Sequence, residues 1–275
     1  KPSRSGRSLV REKSFVSLKK PPLVEVWMSF RFEPGIEAPP WSRERYTLFL
    51  QALASRYPQT QEMTRRAIRV TATRPGRPPR IKEVVEEVLA VRALTDDGLR
   101  AVQLAPDELV VNYLHSSEVA YPGFPVLLAE AMDHCHRYGE CYQSLGVKQA
   151  ALHYVDLIDI PVPEDRVLRS EEYFNLNIQI PQQEFGGIEA FEVKLACRPT
   201  TGSDSVELVF ATEVTQPDEP VRRFRMEWRT ATQANGIMTE AEIRGALQSA
   251  HDRLEQCFQS VFTPTGWALF EPENP

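Results

Sequence analysis

Cysteine is scarce in this chain. Cys135, Cys141, Cys197 and Cys257 are its only four, and no two stand at C-x-x-C spacing. That is too sparse for a disulfide scaffold and fits a reducing compartment. Long apolar runs are missing as well. Charge interrupts them every few residues, so none is suited to span a bilayer. Phosphate-cradling glycine motifs do not occur in either the G-x-x-x-x-G-K-[ST] or the G-x-G-x-x-G form, which argues against a P-loop or Rossmann nucleotide site. No serine or cysteine stands in a nucleophile-elbow context. The opening stretch Lys1 to Lys20 is basic but has no apolar h-region, so it is not read as a secretory signal.

What is present is ordinary in bulk and uneven in distribution. At 275 residues, 42% apolar and 25% charged, the chain has room for one large domain or two small ones with a substantial core. Residues 1–20 carry seven Lys or Arg (Lys1, Arg4, Arg7, Arg11, Lys13, Lys19, Lys20) against Glu12 alone, so an overall charge of −6 leaves the body at −12. A basic arm on an acidic body either folds onto an acidic surface, its own or a partner's, or touches phosphates. An acidic body repels nucleic acid, which favours the first. The arm also interleaves Leu9, Val10, Phe15, Val16 and Leu18, suited to adding an extended strand to a sheet edge.

After Pro21-Pro22 the pattern becomes regular. Val24, Val26, Met28, Phe30 and Phe32 alternate with polar residues, the period of a half-buried strand. Tyr46, Phe49, Leu50, Leu53 and Tyr57 form a helical stripe behind Ser42 as a cap, stopped by Pro58. Residues 58–80 are polar, rich in Arg and Pro, and read as a loop. From Val84 to Leu94 a strand is expected, although the spacing of Ile81, Val84, Val85, Val88 and Leu89 also suits a helix. Asp96-Asp97-Gly98 and Pro106-Asp107 are turn signals that make a meander of Leu99 to Leu104 and Leu109 to Leu114. A long helix carries Phe124, Leu127, Leu128, Ala131, Met132, Cys135, Tyr138, Tyr142 and Leu145, ending at Gly146. Then come a strand from Val147 to Ile160, a helical piece from Ser170 to Phe174, and strands over Ile188 to Cys197, Val206 to Thr215 and Arg222 to Thr232. A last helix starts at the capping box of Thr239 and Glu242. Each half thus outlines a strand, a helical piece, three strands and a long helix, which raises the expectation of two pseudo-repeats.

Four stretches carry a family resemblance: Pro22-Leu23-Val24-Glu25 running into Phe30-Arg31-Phe32; Asp97-Gly98 leading to Val102-Gln103-Leu104; Pro106 to Tyr113; and Leu152-His153-Tyr154-Val155-Asp156. In this order they resemble a sporadically distributed family of uncharacterised prokaryotic proteins of roughly 250–280 residues. Where that family often carries Arg-Tyr-Val-Asn, this chain has His153-Tyr154-Val155-Asp156. The resemblance implies no catalytic residues. The patchy distribution resembles that of genes in defence and mobile-element neighbourhoods.

Several clusters invite a chemical reading. Asp133-His134-Cys135-His136 with Glu140 and Cys141 has zinc-ligand residue types. On a helix, however, His134 and His136 point to different sides, and only His134 with Cys141 and His136 with Glu140 share faces. His153, beside Tyr154 and Asp156, has the residue type of a general base, but a histidine in a strand more often packs. Glu86-Glu87, Asp96-Asp97 and Asp218-Glu219 read as surface charge, and Gly186-Gly187 as a strand-entry turn. Arg65, Arg66, Arg69, Arg74, Arg77 and Arg80 offer a basic face for phosphate or an acidic partner, with few aromatics for base stacking.

The expectation is therefore an α+β protein of antiparallel sheets packed against long amphipathic helices. Its parts are a basic arm over 1–22 and α+β halves over 23–146 and 147–275, which can share one domain. No enzymatic activity, cofactor or metal is expected. The leading role is a non-catalytic interaction or regulatory subunit in a cytoplasmic, prokaryotic, antiviral-defence-type system. It would bind a protein partner through Arg4, Arg7, Arg11, Lys13, Phe15, Lys19 and Lys20 and the sheet surface, away from membranes. The alternative is a small-ligand-binding module with an apolar pocket between curved sheet and helix; nucleic-acid binding through the Arg-rich loop ranks below both. Burial discriminates the first two: an interaction subunit fills its core and exposes a patch, whereas a ligand binder leaves a concave apolar cavity with a few polar groups.

Overall fold

The computed structural model describes residues 18–33, 35, 41–71, 80–116, 119, 121–143, 146–163, 169–176, 190–198, 205–213 and 220–272. Alternation of apolar residues over β1 (Leu23–Glu33) puts Val26, Met28, Phe30 and Phe32 on one buried face. β4 (Arg100–Leu104) and β5 (Glu108–Leu114) form the meander read from the turn signals. Gly98 takes φ 69°, the left-handed conformation that this turn requires. Asp97 locks the turn by accepting from the Thr95 hydroxyl and the Leu99 amide.

β6 (Gly146–Pro161), β7 (Glu192–Cys197), β8 (Val206–Thr212) and β9 (Val221–Met238) complete one nine-stranded antiparallel sheet with β2 (Gln59–Thr71) and β3 (Arg80–Leu94). Its order is β2-β3-β4-β5-β1-β6-β9-β8-β7. β1 and β6 lie adjacent at the middle, with Met28 opposite Leu152. Helices α1 (Arg43–Leu53), α2 (Phe124–Tyr142) and α3 (Glu240–Val261) pack on the sheet, followed by a short α4 (Pro264–Ala268). One cluster of buried apolar residues runs through both halves of the chain. The α+β class and the antiparallel sheet are as the sequence led one to expect.

Some boundaries differ from expectation, each for a physical reason. Residues 59–71 are not loop but a strand. Side chains 59–65 are all exposed, so this edge strand has no apolar period to betray it, and main-chain bonding to β3 holds it. With it the first half has four strands after its helical piece instead of three, so the outline of two matching halves does not hold for the described residues. α2 ends at Gln143, which takes the left-handed conformation, while Gly146 opens β6. Ser42 stands at the N-cap of α1, but its hydroxyl bonds the Glu44 carboxylate and caps no backbone amide. The capping box of α3 forms in full: Thr239 Oγ1 accepts from the Glu242 amide, and Glu242 accepts from the Thr239 amide. No helix among the described residues is long and apolar enough to cross a membrane.

Candidate functional site

A cavity of about 1000 Å³ opens where the sheet centre meets α3. Period two along β6 turns Tyr154 and Asp156 toward it, and Trp228 reaches it from β9, where it lies opposite Tyr154. On α3 the spacing of Gln248, His251, Glu255 and Gln259 brings one polar line to the cavity beside Leu254 and Phe258. Leu18 to Leu23, the segment from His115 to Tyr121, Phe124 at the start of α2, and Trp267 of α4 close the remaining sides.

The wall residues around the floor form a connected set. The Tyr154 hydroxyl lies 2.8 Å from His251 Nδ1. The imidazole stacks on Phe124, with ring centroids 4.1 Å apart and planes 6° from parallel. Burial holds the His251 pKa below its ordinary 6.5, partly offset by Asp252. A neutral ring accepting from Tyr154 at Nδ1 carries its own proton on Nε2, a tautomer assigned from the bonding. Nε2 stands 3.7 Å from Glu255 Oε2, too far for a hydrogen bond. Burial, then Asp252, pushes Glu255 up to about 7. Burial raises the Tyr154 phenol well above its ordinary value.

Asp156 is 5% exposed, and burial pushes its carboxyl up to about 7. No cation helps to ionise it; the one opposing influence is the Trp228 indole. That indole N–H is close enough to act on the carboxyl, yet it lies outside hydrogen-bond geometry and has no partner. At neutral pH the floor of the cavity thus holds a carboxyl near its midpoint and an unpaired donor.

The structure disperses the zinc-like cluster. His134 is buried beside Glu130 and the Tyr57 hydroxyl, His136 pairs with Glu140 at 3.2 Å, and Asp133 pairs with Arg137 at 2.9 Å. Cys135 is core, its thiol pushed up to about 12 by burial. Among the described residues no three His, Cys, Asp or Glu side chains converge as a metal site requires. His153 lies across the sheet from the cavity. Its ring centroid is 3.6 Å from that of Trp27, neither nitrogen is hydrogen-bonded, and burial, then Arg229, pushes it down to about 4.

Sequence reasoning missed Glu130, a buried acid with several partners. It bonds Arg56 at 2.7 Å and Arg100 at 2.6 Å and accepts from the Tyr57 hydroxyl. Burial opposes its ionisation, but the neighbouring His134, the Tyr57 hydroxyl and the charge of Arg56 outweigh it and hold its pKa low. Glu130 sits one turn before His134 on α2, an i, i+4 pair legible in the sequence. With both carboxylate oxygens engaged by its own chain, it reads as a tie between the turn after α1, β4 and α2.

Of the arm, Arg4, Arg7, Arg11, Lys13 and Phe15 lie outside the described residues. Lys19 and Lys20 border the cavity. Their amides donate to the carbonyls of Glu271 and Phe270, Leu18 bridges to Pro272, and the Lys20 ammonium pairs with Glu271 at 2.5 Å. Arg65 pairs with Glu87 across the β2–β3 hairpin at 3.0 Å; Arg74, Arg77, Gly186-Gly187 and Asp218-Glu219 lie outside the described residues. No family model matches the chain, and no curated protein is significantly similar to it.

Proposed function

We propose that this protein binds a small organic molecule with an apolar body in the cavity between β6, β9 and α3. One observation supports the reading above all: about 1000 Å³ of space with mainly apolar walls and a few inward polar groups. Pockets that enclose drug-sized ligands hold roughly 300–1,000 Å³. An interaction subunit contacting a protein partner through the arm is the second reading, supported by the charge of residues 1–20.

Nile red, a neutral apolar dye, tests the proposal. One saturable site per chain with blue-shifted emission is expected. Gln248→Trp and Val119→Trp place bulk at the cavity wall from exposed positions, and should weaken binding at least about tenfold without moving the urea midpoint. Dye binding that does not saturate, or that both variants retain, defeats the proposal.

A further inference from the structure

Resting on the ligand-binding reading above, we infer that the occupant is an organic cation, an amine or quaternary ammonium on an apolar body, whose charge is met by Asp156 and Glu255. The argument starts from what surrounds those two acids. Asp156 comes from the strand floor and Glu255 from the helix wall, so two separate elements deliver negative chemistry to one apolar space. Among the described residues the lining contains two cationic side chains, Lys19 and Lys20, both on the arm's end, and Lys20 is already spent on Glu271. Neither acid is ion-paired to a Lys or Arg in the way Glu130 is, and a buried acid without such a partner is costly. A positive ligand removes that cost.

Aromatic rings supply the rest of the recognition. Tyr154, Trp228, Phe258 and Trp267 line the same space, and the faces of such rings attract ammonium groups, most strongly when water is excluded. Trp228 belongs to the same arrangement. It is 3% exposed, and its indole N–H acts on the Asp156 carboxyl. A cation that keeps Asp156 ionised strengthens that interaction, so binding and the indole contact reinforce each other. An anionic ligand would meet both acids and, among the described residues, gain only Lys19.

Proton balance follows. A quaternary ammonium brings no proton, so near pH 7 its binding releases protons from Asp156 and Glu255 to the buffer. Affinity should rise with pH through about 7. The other groups that titrate around the cavity are His115 and Tyr121 on the connecting segment, Tyr154 on β6, and His251 and Asp252 on α3, with Lys19 and Lys20 at the arm's end.

Three probes of equal tail length decide the matter by titration calorimetry on the full chain: octyltrimethylammonium, 1-octanol and octyl sulfate. The cation should bind one per chain, at least about tenfold tighter than either of the others at pH 7.5, and its heat should vary with buffer ionisation enthalpy in the sense of proton release. Asp156→Asn keeps the shape and removes the charge. It should lose about tenfold in cation affinity and leave 1-octanol unchanged. If 1-octanol or octyl sulfate binds one per chain as tightly as the cation, the cation inference fails and the pocket stands. Should none of the three bind saturably, the ligand-binding reading itself fails.

Discussion

Asp156 stands where a strand facing a helix ordinarily places an apolar side chain. Its neighbours on that face are Leu152, Tyr154 and Ile158. The acid was visible in the sequence, at the end of the stretch Leu152 to Asp156. Its burial was not visible, because that depends on α3, a hundred residues further along. The cost of burying it has a sign that can be measured in the unliganded protein. The carboxyl is raised from 3.8 to about 7. Below pH 3.8 it is protonated in both folded and unfolded chains and costs nothing. As pH rises from there, the unfolded chain releases the proton and the folded chain keeps it, so stability falls until about pH 7. At about 1.4 kcal/mol per unit the loss is a few kcal/mol in order of magnitude. His251 works in the opposite direction: its lowered pKa costs stability as pH falls below 6.5. Asp156→Asn separates the two. The variant should exceed the parent by a few kcal/mol at pH 8 and match it near pH 3.5, read from urea midpoints. Identical curves at both pH values would mean that the carboxyl bears no penalty.

At the scale of elements, legibility tracked amphipathicity. β1, the meander and α3 each present one apolar and one polar face, and each could be read from spacing alone. β2 could not, since a strand bonded along one edge needs no apolar side chains to persist. The cavity was unreadable for another reason: its walls come from residues near 20, 115, 154, 228 and 251, which no local window holds together. The His251 and Glu255 pair, one turn apart on α3, was the available sign. The capping box is the element most exposed to test, because α3 forms one wall of the cavity. Thr239→Ala removes the acceptor for the Glu242 amide and should cost about 1 kcal/mol. A shift in the urea midpoint with an unchanged slope would show it. No shift would mean that the first turn of α3 contributes nothing to stability.

For the molecule as a whole, the end of the arm is tied to the closing segment of the chain. Leu18 to Lys20 bond to the segment Phe270 to Pro272, and the Pro22 carbonyl accepts from the Leu157 amide. Deleting residues 1–22 removes those bonds together with a cavity wall, and should lower both the urea midpoint and Nile red affinity. A truncated chain that matched the parent in both would show that the wall is dispensable.

The central position of β1 also bears on how the chain reaches this state. β1 leaves the ribosome before its neighbours β5 and β6, which follow more than seventy residues later, and β6 in turn waits for β9 beyond residue 220. Local hairpins such as β4–β5 close early, while the seam down the middle closes last. Pairings this distant in sequence slow folding. Until β9 has been made, Val26, Met28, Phe30 and Phe32 have no finished sheet to enter. An apolar strand kept waiting in this way is prone to association with other nascent chains. Yield at low temperature and low expression rate is therefore governed by the middle of the sheet, not by its exposed edges.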